Sequence, residues 1–200
     1  MRQAPLKLVL ASGNRGKLDE MHAILAELDI ALVAQSELGI DDVEETGTTF
    51  VENALLKARH AARVSGLPAL GDDSGLCVDA LGGAPGLYSA RYAGTHGDAA
   101  ANIARLLADV HDVPDERRSA YFHCTIVVLR SADDPAPLIA EGRWHGRILQ
   151  APRGANGFGY DPVFFDDTLG AGAAELEAAT KNRVSHRALA LARLREALRA

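Results

Sequence analysis

Two stretches of this chain carry residue types whose spacing could do chemistry. The first is Ser12-Gly13-Asn14-Arg15-Gly16-Lys17, between an apolar run and a helical pattern. A helix N-terminus there would offer unpaired N–H groups and partial positive charge to a phosphate. Gly13 and Gly16 would let the backbone approach a ligand closely, and Lys17 adds a full charge. Two named phosphate motifs fail. The P-loop needs glycine at 11 and Ser or Thr at 18, where the chain has Ala11 and Leu18, and no GxGxxG is present. On this segment alone, a phosphate cradle and an ordinary strand-to-helix turn are both open.

The second stretch is Asp72-Asp73-Ser74-Gly75. Adjacent carboxylates repel and need a reason to coexist. Mg²⁺ is one, since it takes one or two carboxylates plus substrate phosphates. A carboxylate there could also take a proton from an attacking water. The competing reading is a polar turn in which one Asp bonds its own backbone. Glu44 and Glu45 sit in an acidic loop, 39–47, which reads as solvated surface unless another site needs it. In "FGYDP", Phe158 and Tyr160 flank Gly159 and precede Asp161. An aromatic face there could stack on a base, or both rings could simply pack. Lys181, His186 and Arg187 gather three potential cations before a helix, where basic groups do not help the dipole.

The elements that must position these residues read as an α/β order. Residues 6–11 form a buried strand, and from Lys17 the residues Leu18, Met21, Ile24, Leu25 and Leu28 fall at helical spacing. Residues 30–34 read as a second strand. Thr49 and Glu52 make a capping box for a helix to Ser65, ended by Gly66 and Pro68. Residues 68–81 read as strand, turn and strand, and 82–94 as loop. A helix at 98–110 precedes two long strands, 119–129 and 137–149. A short helix near 173–179 and a last one from Ser185 to Leu198 close the chain. Crossovers mixed with a long hairpin favour a mixed sheet, in one domain of two lobes.

The chain has 200 residues, 48% of them hydrophobic, and a formal net charge of −6. That balance argues against binding nucleic-acid polymers, which needs a basic face, but leaves a single nucleotide open. The apolar runs are too short for a membrane span, and the first reads as a core strand rather than a signal peptide. Cys77 and Cys124 make no CxxC pair, and as buried thiols they suit a reducing cytoplasm.

Taken in order, "SGNRGK" (12–17), "FVENALLKA" (50–58), "DDSGL" (72–76), "LGGAPGLYSARYAG" (81–94), "FGYDP" (158–162) and "SHR" (185–187) resemble the non-canonical purine nucleoside triphosphate pyrophosphatases, the inosine triphosphate pyrophosphatase family. The likeness is closest to its bacterial dITP/XTP pyrophosphatase branch. It implies one domain over 1–200: an elongated mixed β-sheet with flanking helices, two lobes and a central substrate cleft, as a cytoplasmic homodimer. It implies Mg²⁺-dependent hydrolysis of ITP, dITP or XTP to the monophosphate and pyrophosphate. A nucleotide-binding sensor without turnover is the alternative. By resemblance, Ser12 to Lys17 hold the triphosphate, Asp73 accepts the proton, and Glu44 with Asp73 holds the metal, with Glu45 and Asp72 as helpers. Ser74 and Lys181 touch substrate. Phe158, Gly159, Tyr160 and Asp161 hold base and sugar, and His186 with Arg187 reads the base edge. Tyr88, Ser89 and Arg91 have no assigned role.

Overall fold

The apolar run at 6–11 forms the first strand of a mixed sheet, β1 (Leu6–Ala11), in a computed structural model that describes residues 6–25 and 30–199. There follow α1 (Arg15–Leu25), β2 (Ile30–Ala34), α2 (Phe50–Ser65), β3 (Ala69–Val78), α3 (Ala99–Asp109), β4 (Ser119–Leu129), β5 (Leu138–Ile148), β6 (Phe164–Asp166), β7 (Ala171–Gly172), α4 (Ala178–Val184) and α5 (His186–Arg199). Among the described residues the sheet has seven strands, in the order β2-β1-β3-β4-β5-β6-β7. β1 runs parallel to both β2 and β3, with Val9 opposite Val33 and Ala69. β5–β6 and β6–β7 are antiparallel. β4 and β5 are neighbours joined by a short link, which only an antiparallel pair permits. Among the described residues no helix is long and apolar enough to cross a membrane.

The chain folds into two compact units. One comprises residues 1–73, 124–142 and 187–200, the other 74–123 and 143–186. In the first, side chains alternate across β1. Leu8 and Leu10 pack with Met21 and Leu25 of α1, Leu70 of β3, and Leu191 and Leu194 of α5. Val9 and Ala11 face the other way, onto Ala61 and Ala62 of α2. Both faces of the parallel strands are therefore covered, which is why β1 reads as an unbroken apolar run from Leu8 to Ala11. Cutting Leu8 or Leu10 to alanine would cost about 2–5 kcal/mol. In the second unit, Leu76, Val78, Leu106, Phe122, Trp144, Ile148 and Phe164 form the core.

α2 begins as the sequence predicts. Thr49 Oγ1 accepts from the Glu52 N–H at 3.3 Å, while the Glu52 carboxylate reaches back one residue further, to the Thr48 N–H at 2.7 Å. The buried face of α2 is mostly alanine: Ala54, Ala58, Ala61 and Ala62. Small residues let the helix lie hard on β3. A Cβ at Gly71 would overlap the Ala54 carbonyl oxygen.

Three expectations need correction. Residues 68–81 are not strand, turn and strand but one continuous strand, Ala69–Val78, followed by a 3-10 turn at Asp79–Leu81. Its glycines serve close packing rather than turning, and its two acids are compensated by distant side chains. Residues 86–91, read as loop, form a 3-10 helix. The helix near 173–179 is a 3-10 turn at Ala173–Glu175 and then α4, because the Glu175 carboxylate folds back onto the Gly172 N–H at 2.7 Å. Leu28, part of the first helical pattern, lies outside the described residues.

Candidate functional site

The turn after β1 is built by its own side chains. Ser12 is buried, and its Oγ accepts from the Asn14 N–H at 3.3 Å. Asn14 caps α1: its Oδ1 accepts from the Lys17 N–H at 3.1 Å. Gly13 is exposed, with the Asp42 carboxylate 3.3 Å from where a Cβ would stand. Arg15 and Gly16 open the helix. No acidic residue occupies its first turn, so no side chain there offsets the positive helix end. Lys17 Nζ lies 3.2 Å from Asp72 Oδ1.

Asp72 and Asp73 lie side by side on β3, so their side chains leave opposite faces. Asp72 has the parity of Leu70 and meets Lys17 and, at 3.4 Å, Arg187 Nη2. Arg187 is itself buried and also pairs with Glu20. Asp73 has the parity of Gly71 and meets α2, with Lys57 Nζ at 3.0 Å and Asn53 Nδ2 at 3.3 Å. The two environments push the acids apart. Burial would raise the pKa of Asp72, but Lys17, Arg187 and Lys57 outweigh it and hold the carboxyl well below the usual range. Burial dominates at Asp73 and, with help from the Glu45 charge, raises its pKa despite Lys57 and Lys17. One acid is locked as an anion while its neighbour stays the better proton acceptor. Beside Asp72, the Cys124 thiol is buried, its Sγ 4.0 Å from Oδ2. Burial, then the Asp72 charge, pushes its pKa up to about 12.

Lys57 joins Asp73 to the acidic loop through Glu45 Oε1 at 2.7 Å. Burial lowers its pKa, but Asp73, Asp72 and Glu45 raise it further, so it stays charged. Glu44, the loop acid singled out by resemblance, is exposed, whereas Glu45 turns inward. These carboxylate oxygens are the donors Mg²⁺ prefers, and the Lys57 ammonium already marks a cation position between Asp73 and Glu45. No three His, Cys, Asp or Glu side chains close into a metal shell among the described residues. An ion there would take its remaining ligands from water and substrate oxygens, the usual habit of Mg²⁺.

The second unit brings together another set. Asp161 is buried, and its Oδ2 accepts from the Phe158 N–H at 2.7 Å and from Lys181 Nζ at 2.6 Å. Lys181 Nζ also stands 4.6 Å from the Phe158 ring centroid. Lys181 and Asp161 thus set the Phe158 ring, which remains 38% exposed. Gly159 takes a left-handed φ of 60°, and a Cβ at Gly157 would overlap the Asp161 carboxylate. The Tyr160 hydroxyl donates to the Ser89 carbonyl at 2.9 Å. Ser89 in turn accepts from the Leu76 N–H at 2.9 Å and donates to the Gly86 carbonyl at 2.6 Å. Ser74 opens this unit's share of β3 and is half-buried. His186 stacks on Phe122, with centroids 4.9 Å apart.

The structure therefore joins Lys17, Asp72, Asp73, Glu45 and Arg187 in one unit and Phe158, Tyr160, Asp161 and Lys181 in the other. His186 and Arg187, adjacent in sequence, belong to different units. Sequence reasoning missed three residues: Asn53, Lys57 and Ser89. The first two stand four apart on α2, on one helix face, and that spacing was a usable signal. Tyr88 is exposed, with Arg91 over its ring at 5.3 Å.

Residues 8–197 match the Ham1 family. The chain is 65% identical over 193 residues to a dITP/XTP pyrophosphatase of Xanthomonas campestris pv. campestris, covering 96% of this chain and 97% of that protein. It is 62% identical over 192 residues to a dITP/XTP pyrophosphatase of Xylella fastidiosa, covering 96% of each. A solved HAM1 protein from Coxiella burnetii superposes with a TM-score of 0.90 at 50% identity, over 96% of this chain and 98% of that one. With a match spanning nearly its whole length and relatives this similar, the chain belongs to the Ham1 family.

Proposed function

We propose that this chain is a nucleoside triphosphate pyrophosphohydrolase that cleaves dITP, ITP and XTP to the monophosphate and pyrophosphate. The observation that carries the reading is the acid pair: Asp72 held ionised by Lys17 and Arg187, and Asp73 kept a better base beside Lys57. The names of the relatives, dITP/XTP pyrophosphatases, support the substrate class.

On this reading the residues from Ser12 to Lys17 bind the triphosphate through backbone N–H groups and the Lys17 charge. Asp73 orients a water toward the α-phosphorus. The water oxygen forms the new P–O bond, its proton passes to Asp73, and the α–β bridging oxygen leaves with pyrophosphate. Asp73 and the acidic loop would hold Mg²⁺, where Glu44 was expected and the geometry favours Glu45. When bound, the ion supplies neutralisation of phosphate charge. Phe158 offers its ring to the base, and Ser74 and Lys181 border the substrate. His186 donates to the purine 6-carbonyl. Adenine presents an amino group there, and a donor left facing a donor costs about 1–3 kcal/mol, roughly tenfold to a hundredfold. Arg187, engaged by Asp72 and Glu20, keeps Asp72 ionised and reads the base edge together with His186. The reading includes a single domain, a homodimer and a cytoplasmic role in cleansing the nucleotide pool.

The test is product analysis with Mg²⁺ and equal ITP, XTP, ATP or GTP, with Asp73→Asn as control. Monophosphate and pyrophosphate from ITP and XTP, with little from ATP or GTP, are expected. Orthophosphate as the product would move the attack to the terminal phosphate and sink the mechanism.

A further inference from the structure

We propose that Asn53 is a positioning residue that couples the seat of the acidic loop to the orientation of the Asp73 carboxylate; this rests on Asp73 being the proton acceptor. Asn53 is 2% exposed, and both ends of its amide are used. Oδ1 accepts from the Gly47 N–H at 2.8 Å, and Nδ2 donates to Asp73 Oδ2 at 3.3 Å. The assignment of the two ends follows from chemistry. A backbone N–H can only donate, so the amide oxygen must face Gly47, and the NH₂ group is left facing the carboxylate.

The frame around Asn53 is rigid. It sits in the first turn of α2, its own N–H bonded to the Thr49 carbonyl at 3.2 Å. The loop end is pressed directly onto that turn. A Cβ at Gly47 would come within 2.6 Å of Asn53 Oδ1 and 2.7 Å of Glu52 Cβ. One helical turn further on, Lys57 ties the same two segments together by charge, through Glu45 in the loop and Asp73 on β3. Asn53 and Lys57 are thus two rungs between loop and carboxylate. The Asn53 rung is the directional one, because a planar amide holds its acceptor and donor at a fixed angle, whereas the Lys57 ammonium on its flexible stem can rotate among partners. A loop that lifts at Gly47 releases the amide oxygen, the amide turns, and Asp73 loses the donor that aims it. The seated loop and the aimed carboxylate are one state.

The test uses the full chain and three variants: Asn53→Ala, Asn53→Asp and Asp73→Ala. Circular dichroism checks folding, hydrogen exchange reads the Gly47 amide, and steady-state kinetics with ITP and Mg²⁺ separate kcat from KM. Asn53→Ala should speed Gly47 exchange and lower kcat by about tenfold each, with KM little changed. Asn53→Asp keeps an acceptor for Gly47 but replaces the donor at Asp73 with a like charge. Gly47 protection should hold while kcat falls by about tenfold or more. Asp73→Ala leaves the Gly47–Asn53 and Glu45–Lys57 contacts in place yet should speed Gly47 exchange by about threefold, because coupling is reciprocal. A Gly47 amide unmoved in Asp73→Ala would overturn the coupling, and wild-type kcat in Asn53→Asp would overturn the aiming. If Asn53→Ala does not fold, the other two variants decide. A wild-type protein that leaves ITP intact refutes the proposed function, while the exchange measurements still judge the coupling.

Discussion

Asp72 and Asp73 are bonded neighbours on β3 whose carboxylates meet different cations: Asp72 reaches Lys17 and Arg187, and Asp73 reaches Lys57. Strand alternation answers the repulsion problem posed by the sequence. The charges do not share a turn around one ion. They leave opposite faces, each toward its own helices, and the cations that meet them come from α1, α2 and α5.

Replacing Asp73 by Asn removes the proton acceptor without changing shape. Turnover of ITP should fall by about 10²–10⁴-fold, with nucleotide binding kept. The pH profile adds a sign. An acceptor must be ionised, so kcat/KM falls as pH drops through its pKa. Burial raises that pKa above the ordinary 3.8 in the metal-free protein, so Asp73 followed by NMR without Mg²⁺ should titrate above the value of an unperturbed Asp. Loss of the acid limb's dependence on this position in Asp73→Asn is the matching kinetic outcome.

Asp72→Asn should cost about 3–5 kcal/mol in urea unfolding at neutral pH, because the buried Arg187 loses the charge of one of its carboxylate partners. The folded pKa of Asp72 lies below its unfolded value. Its contribution is therefore full above about pH 4 and is lost as pH falls from there toward the folded value. The gap between wild type and variant should close in that acid range.

Gly71→Ala places a methyl against the Ala54 carbonyl and 2.8 Å from the Ala58 nitrogen. α2 must move, at a cost of about 1–3 kcal/mol. Calorimetry should show Tm lower by several degrees, and kcat should fall with it because α2 carries Asn53 and Lys57.

Lys181→Met keeps the stem and removes the charge that meets Asp161 and the Phe158 ring. KM for ITP should rise by about tenfold, more than kcat falls. Lys181→Arg should recover much of the loss. An unchanged KM in the Met variant would show that the ring needs no support from below.

Local signals were legible where they are self-contained. Thr49 and Glu52 announce α2, and the apolar run announces β1. Residues 68–81 were misread because Gly71, Asp72, Asp73 and Gly75 carry turn chemistry locally. What makes them a strand is tertiary: an alanine face over Gly71, the Gly86 carbonyl against Gly75, and cations from three helices. Glu45 could not be told from Glu44 without knowing which one points at Lys57. The Ser89 bridge between Leu76 and Tyr160 was out of reach for the same reason, since its partners are far apart in the chain.

The Cys124 sulfur has a consequence of another kind. Buried against an ionised Asp72, it stays a thiol at neutral pH, and a thiol is a poor nucleophile. Alkylating reagents can take it only after water has reached the strand it shares with the core. The chain thus carries an internal moisture gauge beside a buried, ion-paired charge, and the rate at which Cys124 is labelled clocks how often that interior opens.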